Sequence, residues 1–403
     1  MRGNTQFAEI RSGSTRGMTA RRISCLCANA AHTRTRRKHA GSPHKPLTPA
    51  FLPFLLTIQH PFSIPVHSPT MSADVPKATL YTFDGSVWAS APRLALVEKG
   101  YSSTDVDLKI VDLVKGENFD PSYLRINSKG TVPTLVVPLL ETTSAEVATK
   151  FRAINDTKAI LEFLDKSRSS NTVTDTSATP APILAPATIE GKAASDEIIA
   201  LSHSPTVDPN FLLLGARSES ELAASRKALP GTFVTNRHNV LLSHQKSLLE
   251  NDSATVAFDG SSNPKSSAVH ENLKKWYADK LDSQSLLTKA YLENDAESVQ
   301  QLIQSTNAAW KAVAETLVKL EAKLQGPFAL GDQISLADLH VLPWLARLSA
   351  VAGGLTGKHG LEALDEVVRT GGVGDGVGAK VKGLWEAFAD RPSFKAVYGE
   401  GLH

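Results

Sequence analysis

The chain has 403 residues, 41% of them hydrophobic and 21% charged, which is typical of a folded globular protein of about two to three domains. Its net charge of +2 is unevenly distributed, because residues 1–70 carry eight Arg, two Lys and a single acid, Glu9, which leaves 33 basic and 40 acidic residues in 71–403. An acidic body argues against nucleic acid or an anionic membrane as the main partner. No run of about 18 apolar residues occurs, so no membrane span is expected.

The basic tail, residues 1–76, is predicted to be disordered. It is rich in Arg and poor in acids, as a mitochondrial transit peptide is. Met71 is a second candidate start just before the first predicted strand, so the tail is either a transit peptide or an upstream extension that is not translated. Both cysteines, Cys25 and Cys27, lie in it. The body therefore lacks a cysteine for a disulfide, a thiolate metal site or a nucleophile.

Residues 77–167 are predicted to form an α/β domain. β-branched, aromatic or alternating apolar runs predict strands, and apolar residues at helical spacing predict helices, one of them with Pro92 in its first turn. The predicted strands are 78–84, 104–113, 134–139 and 150–154, and the predicted helices are 91–100, 120–127 and 156–166. The order of elements is βαβαββα.

Residues 168–190 are rich in Ser, Thr, Pro and Ala and are predicted to form a linker. Strand patterns nearly disappear after it, and an apolar stripe predicts a long helix over 298–324, with a further helix over 271–281. The stretch 225–270 is weakly patterned and is predicted to include a mobile loop. The expected fold is therefore α/β plus all-α, with an all-helical domain over 191–403.

Four motifs in this order resemble those of the glutathione transferase superfamily. "NSKGTVPTL" (127–135) resembles its "NPxGxVPTL", and "NDTKAILEFL" (155–164) resembles its "ESxAIxxYL". "GPFALGDQISLADLHVLPWLARL" (326–348) resembles the signature of its helical domain, and "DRPSFKAVY" (390–398) its usual ending. The resemblance implies a thioredoxin-like domain followed by a helical bundle, and a homodimer.

One stretch departs from that pattern. The segment between the two signatures, roughly residues 185–295, is longer than the corresponding segment of a compact transferase. It resembles the extended helical loop of the ganglioside-induced differentiation-associated proteins.

Pro133 immediately precedes a predicted strand. The local sequence alone favours a trans proline that opens the strand. In the family the corresponding proline is cis, so the resemblance predicts a cis Val132–Pro133 bond. The N–H and C=O of Val132 would then face outward, where the extended cysteinyl backbone of glutathione can pair with them, and Gly130 would permit the close approach.

Asp156 and Thr157 begin a predicted helix, and the ordinary interpretation is that one of them is its N-cap. The resemblance adds a second role at the helix N-terminus, in which Thr157 donates to the γ-glutamyl carboxylate and Asp156 accepts from its ammonium. Lys115 and Lys129 are candidates to bind the glycyl carboxylate, or they are ordinary solvated lysines.

The catalytic candidate is a serine. Alignment of "ALVEKG" with the family's helix places Ser86 at the serine position, with Ser90 as the alternative, although either could be an ordinary loop or capping residue. The implied role is to stabilise the glutathione thiolate by a hydrogen bond. Ser335 and Asp338 are assigned instead to a structural capping box.

The resemblance implies a glutathione transferase-like protein whose thiol attacks a small hydrophobic electrophile. Glutathione would be a co-substrate, with no permanently bound cofactor and no metal. The alternative is a glutathione-binding regulatory or scaffold protein with little turnover, because a fold does not fix a function. A cytoplasmic location is expected, or a mitochondrial one if residues 1–70 are made and act as a transit peptide.

Overall fold

The computed structural model describes residues 77–139, 151–169, 180–258, 264–354, 356–371 and 374–403. The predictions for the basic tail lie outside these residues. The strands are β1 (Ala78–Thr82), β2 (Val106–Ile110), β3 (Thr134–Pro138) and β4 (Phe151–Ile154), and the helices that pack with them are α1 (Val87–Glu98), α2 (Pro121–Leu124) and α3 (Thr157–Ser167).

The four strands form one sheet in the order β2-β1-β3-β4. β1 runs parallel to β2 and antiparallel to β3, and β3 runs antiparallel to β4, which is the predicted thioredoxin-like arrangement. The register pairs Tyr81 with Thr134 and Leu135 with Ile154. The carboxyl ends of β1, β2 and β4 and the first residue of β3 therefore meet at one end of the sheet.

Helix α1 begins at Val87, four residues before the predicted start, so the prediction that Pro92 lies in the first turn is wrong. Ser86 is the N-cap, and its hydroxyl accepts a hydrogen bond of 3.3 Å from the amide of Ala89. Because the cap satisfies an amide of the first turn, the helix begins there and carries Pro92 in its interior.

The rest of the described chain is helical. The helices are α4 (Ile189–Ser202), α5 (Pro209–Leu214), α6 (Glu219–Ser225), α7 (Leu229–Phe258), α8 (Pro264–Asp282), α9 (Ser285–Thr288), α10 (Ala296–Lys323), α11 (Leu336–Val351), α12 (Glu362–Thr370), α13 (Ala379–Ala389) and α14 (Pro392–Tyr398). Helix α1 packs against α11 and α14, so the two domains share one hydrophobic core.

The predicted capping box of Ser335 and Asp338 is confirmed at the start of α11. In the part of the chain that the structure describes, no helix has the length and apolar character needed to cross a membrane.

The stretch 225–270 is predicted to include a mobile loop. Residues 229–258 form the helix α7, so the prediction is wrong over that range. Val234 packs against Leu214 in one apolar cluster, whereas Leu241 packs against Phe119 and Tyr277 in another. Because α7 buries apolar side chains on two faces, its sequence lacks the single stripe by which an amphipathic helix is recognised.

The described part of the predicted linker is hydrogen-bonded to the thioredoxin-like domain. Lys99 and Asp165 form a buried ion pair of 2.8 Å, and Lys99 also donates to the carbonyl of Pro182. The carboxylate of Asp165 accepts from the amides of Leu184 and Ala185. The domain boundaries at 167 and 190 stay predictions, although α3 ends at Ser167 and α4 begins at Ile189.

Candidate ligand-binding cleft

A cleft of about 370 Å³ opens where the sheet end described above faces the helical domain. Among its lining residues are six of the seven predicted site residues: Ser86, Lys129, Val132, Pro133, Asp156 and Thr157. Positions up to 71 residues apart in sequence are thus brought to one surface, and only Lys115 lies elsewhere.

The loop before β3 is fixed by side chains on its inner side. The Val132–Pro133 bond is cis, as the resemblance predicts. The side-chain amide of Asn127 and the hydroxyl of Tyr123 each donate a 2.7 Å hydrogen bond to the carbonyl of Thr131. Within the ranges that the structure describes, no other backbone group bonds to Val132, so its backbone is available to an extended ligand.

Ser86 is placed to act on a ligand, and Ser90 is not. The Ser86 hydroxyl lines the cleft and is 8% exposed; it accepts the bond from Ala89, which leaves its own proton to be donated. Ser90 is fully buried and outside the cleft, with its hydroxyl bonded to the carbonyl of Ser86 and to His403. The geometry therefore favours Ser86.

Asp156 is the N-cap of α3, since its Oδ1 accepts a 2.9 Å hydrogen bond from the amide of Ala159. The side chain is exposed at the cleft. A carboxylate has two oxygens, so capping through one leaves the other free to accept from a ligand. The capping and ligand-binding interpretations are compatible, and Thr157 lies at the first turn of the same helix.

The two lysines predicted to bind the glycyl carboxylate lie in different places, and only Lys129 lines the cleft. Lys115 pairs with Asp112 at 3.0 Å and lines a different groove beside Tyr81, so the candidate site no longer includes it. Lys129 is exposed at the cleft, and in the described residues it has no acidic partner within ion-pair distance.

Arg347 in α11 is a cleft residue that sequence reasoning missed. Its side chain is buried, with 3% exposed, and its Nη2 donates a 2.6 Å hydrogen bond to the carbonyl of Gly85, next to Ser86. Burial lowers the pKa of its guanidinium to about 10, so it is still charged at neutral pH. A lone Arg within the apolar run 336–351 was the signal available in the sequence.

The helical domain also contributes aromatic, imidazole and apolar groups. His203 stacks on Trp88 with ring centroids 3.9 Å apart, and it forms a 2.8 Å hydrogen bond with His340. Burial lowers the pKa of both imidazoles, that of His340 to about 3. Leu213, Leu214 and Phe233 supply an apolar wall to the cleft.

The fold and the cleft define a two-domain protein with a thioredoxin-like sheet, a cis-proline loop and a helical domain that closes the site. Residues 80–172 match the family model for the glutathione S-transferase N-terminal domain, and residues 303–370 match the model for the glutathione S-transferase C-terminal domain. The chain therefore carries the two domains of the glutathione transferase superfamily in these two segments.

Several curated proteins are each similar to a part of the chain. Maleylacetoacetate isomerase maiA of Aspergillus fumigatus is 38% identical over 91 residues, which are 23% of this chain and 35% of that protein. Tetrachloro-p-hydroquinone reductive dehalogenase of Sphingobium chlorophenolicum is 44% identical over 64 residues, or 16% and 25% of the two chains. The chain thus spans about a third or less of these relatives. The structure of glutathione transferase F7 from Populus trichocarpa aligns over 81% of this chain and 99% of that one, with 18% identity and a TM-score of 0.41.

Proposed function

We propose that the protein is a glutathione transferase in which Ser86 activates the glutathione thiol for attack on an electrophile. The observation that supports this most directly is the convergence of the Ser86 hydroxyl, the backbone of Val132 and the N-terminus of α3 on one cleft. These three features match the three parts of glutathione that need recognition: the thiol, the cysteinyl backbone and the γ-glutamyl group.

The binding mode follows from the groups present. The cysteinyl backbone pairs with Val132 as a short added strand. The γ-glutamyl carboxylate lies at the N-terminus of α3, where free amides, the helix dipole and the Thr157 hydroxyl favour an anion. The free oxygen of Asp156 accepts from the γ-glutamyl ammonium. In this pose the cysteinyl side chain faces the first turn of α1 and the hydroxyl of Ser86.

Thiol activation follows from the electrostatics of that position. A free thiol has a pKa near ~8.5 and is mostly protonated at neutral pH. A hydrogen bond from Ser86, the N-terminus of α1 and the buried charge of Arg347 all favour the thiolate and lower the pKa of the thiol. The thiol proton leaves to solvent, and the sulfur electron pair forms a C–S bond to the electrophilic carbon as its leaving group departs or its π bond accepts the electrons.

The acceptor side is apolar near Leu213, Leu214 and Phe233, which suits the carbon skeleton of a hydrophobic electrophile. The curated relatives bear the names of an isomerase, a reductive dehalogenase and a glutathione S-transferase. The reaction at the electrophile is therefore best sought with a panel that contains an aryl halide, an activated alkene and a halogenated hydroquinone.

A cytoplasmic location and homodimerisation stay predictions of the resemblance.

The test measures turnover of the panel with the wild type, Ser86→Ala and the matched control Ser90→Ala. We expect Ser86→Ala to lower kcat/KM by about 10- to 100-fold, the value of a hydrogen bond to a charged group, while Ser90→Ala has a much smaller effect. Retention on immobilised glutathione without turnover of any substrate would instead favour the regulatory or scaffold role. Failure to bind glutathione at all would refute the proposal.

A further inference from the structure

Arg237, on α7, is a cation that faces the cleft without an acidic partner. Its guanidinium lies over the ring of Phe119, 5.4 Å from the centroid, and lines the cleft wall. Burial lowers the pKa of Arg237. The pKa of Lys280 on α8 is lowered by burial and, to a smaller extent, by the charge of Arg237. Among the described residues, neither side chain has an acid within ion-pair distance. Partly desolvated, uncompensated positive charge favours the binding of an anion.

The sheet order places Arg237 at a defined end of the cleft. Asp156 and Thr157 follow β4 at one edge of the sheet, whereas Asn118 and Phe119 follow β2 at the opposite edge. Val132 lies between them, before the central strand β3. A tripeptide centred on Val132 spans roughly 10 Å, so with its γ-glutamyl end at α3 its glycyl end points toward Asn118 and Arg237.

Two glycines allow the helices to come this close. An added Cβ on Gly116 would lie 3.2 Å from Val240 of α7, and one on Gly130 would lie 3.1 Å from Trp276 of α8. Both glycines also have positive φ angles, of 77° and 63°, which favour glycine. The indole N–H of Trp276 donates a 2.8 Å hydrogen bond to the carbonyl of Ser128. Helix α8 therefore packs directly on the loop that carries Lys129, and α7 packs on the loop that follows β2.

We propose that Arg237 binds the glycyl carboxylate of glutathione, with Lys129 as a second cation, so that α7 completes the glutathione site. This inference rests on the proposed function. Helix α7 lies outside both segments that match the family models, 80–172 and 303–370, so the residue comes from the part of the chain between them. A guanidinium suits the task because its planar donors match both oxygens of a carboxylate.

The experiment compares glutathione with its glycyl monoethyl ester, in which a neutral ethyl ester replaces the negatively charged glycyl carboxylate. Calorimetry on the wild type should show that the acid binds about 10- to 100-fold more tightly than the ester, as expected for a charge-assisted pair. In Arg237→Gln the affinity for the acid should fall to nearly that for the ester, and the affinity for the ester should change little. Arg217→Gln is the matched control, because it replaces an arginine that pairs with Glu221 on α6. This variant should retain the preference for the acid over the ester.

The outcomes separate the two proposals. If the wild type binds neither compound, both the proposed function and this inference fail. If the wild type binds both compounds equally, or if Arg237→Gln weakens both by the same factor, only the role of Arg237 is overturned. The comparison of acid and ester on the wild type needs no variant, and Arg237→Lys, which keeps the charge, should retain part of the preference.

Discussion

The cleft has two walls of different origin. The thioredoxin-like wall consists of short segments at strand and helix ends, and its site residues lie within motifs that span a few positions each. The opposite wall is formed by α5, α7 and α11, together with His203 just after α4. Helix α7 supplies Phe233 and Arg237, and α11 supplies Arg347. The first wall lies within the segment 80–172 that matches the N-terminal family model, whereas much of the second belongs to helices between the two matched segments.

The difference shows how each wall is held. The thioredoxin-like wall belongs to the shared core of the two domains and is fastened by the buried pair of Lys99 and Asp165. Helices α7 and α8 rest on the domain through a separate small cluster around Phe119, Leu241 and Tyr277. The first attachment is predicted to unfold with the whole protein and the second to open locally.

The largest effect is expected from Lys99→Met. The substitution leaves the carboxylate of Asp165 buried without its cation, which should lower the free energy of unfolding by about 3–5 kcal/mol. Lys166→Met is the control, because that lysine pairs with Glu162 on an exposed helix surface and should cost less than about 1 kcal/mol. Denaturant unfolding measures both variants. An equal decrease in the free energy of unfolding of both variants would show that the buried Lys99 pair stabilises the protein no more than an exposed pair does.

Tyr277→Ala should loosen the packing of α7 and α8 on the thioredoxin-like domain and lower the free energy of unfolding by about 3 kcal/mol. It removes a fully buried ring and the 2.6 Å hydrogen bond to the carbonyl of Phe119. Hydrogen exchange should speed up in α7 and α8 while β1 and β3 stay protected. Tyr277→Phe keeps the ring and should cost only about 1 kcal/mol. Uniform loss of protection over the whole chain would contradict local opening.

The same contrast explains what the sequence could predict. The roles of Ser86, Pro133 and Asp156 depend on a turn, a cap or a loop within a few residues, and local chemistry constrains such features strongly. The contact of Arg237 with Phe119 joins positions 118 apart, and α7 shows no single stripe that would indicate which face turns inward. Pro92 predicts a later start of α1, because proline is typical of a first helical turn, whereas the cap at Ser86 determines where the helix begins.

The imidazole pair on the helical wall predicts acid lability. His340 is neutral in the folded state because burial lowers its pKa from 6.5 to about 3, whereas the unfolded chain binds its proton below about pH 6.5. The free energy of unfolding should therefore fall as pH decreases, by about 2 kcal/mol between about pH 7 and about pH 5 from this residue. In His340→Asn this loss should be absent.

The matched control is His359→Asn, since His359 is an exposed histidine beside Glu362. It should keep the pH dependence of the wild type. Asp338, whose pKa is raised to about 6 by burial, also titrates in this range, but it is present in all three proteins and cancels in the comparison. A wild-type slope in His340→Asn would assign the lability to other groups.

The smallest expected effect separates the two roles of Asp156 on the thioredoxin-like wall. Asparagine caps a helix about as well as aspartate, so Asp156→Asn should leave the free energy of unfolding within about 0.5 kcal/mol of the wild type. It removes the negative charge that would face the γ-glutamyl ammonium, so the KM for glutathione should rise about tenfold, equivalent to about 1.4 kcal/mol. Asp156→Ala should show the same change in KM and lose a further ~1 kcal/mol of stability with the cap. An unchanged KM in Asp156→Asn would reduce this residue to its capping role and leave Arg237 on α7 as the main source of charge recognition in the cleft.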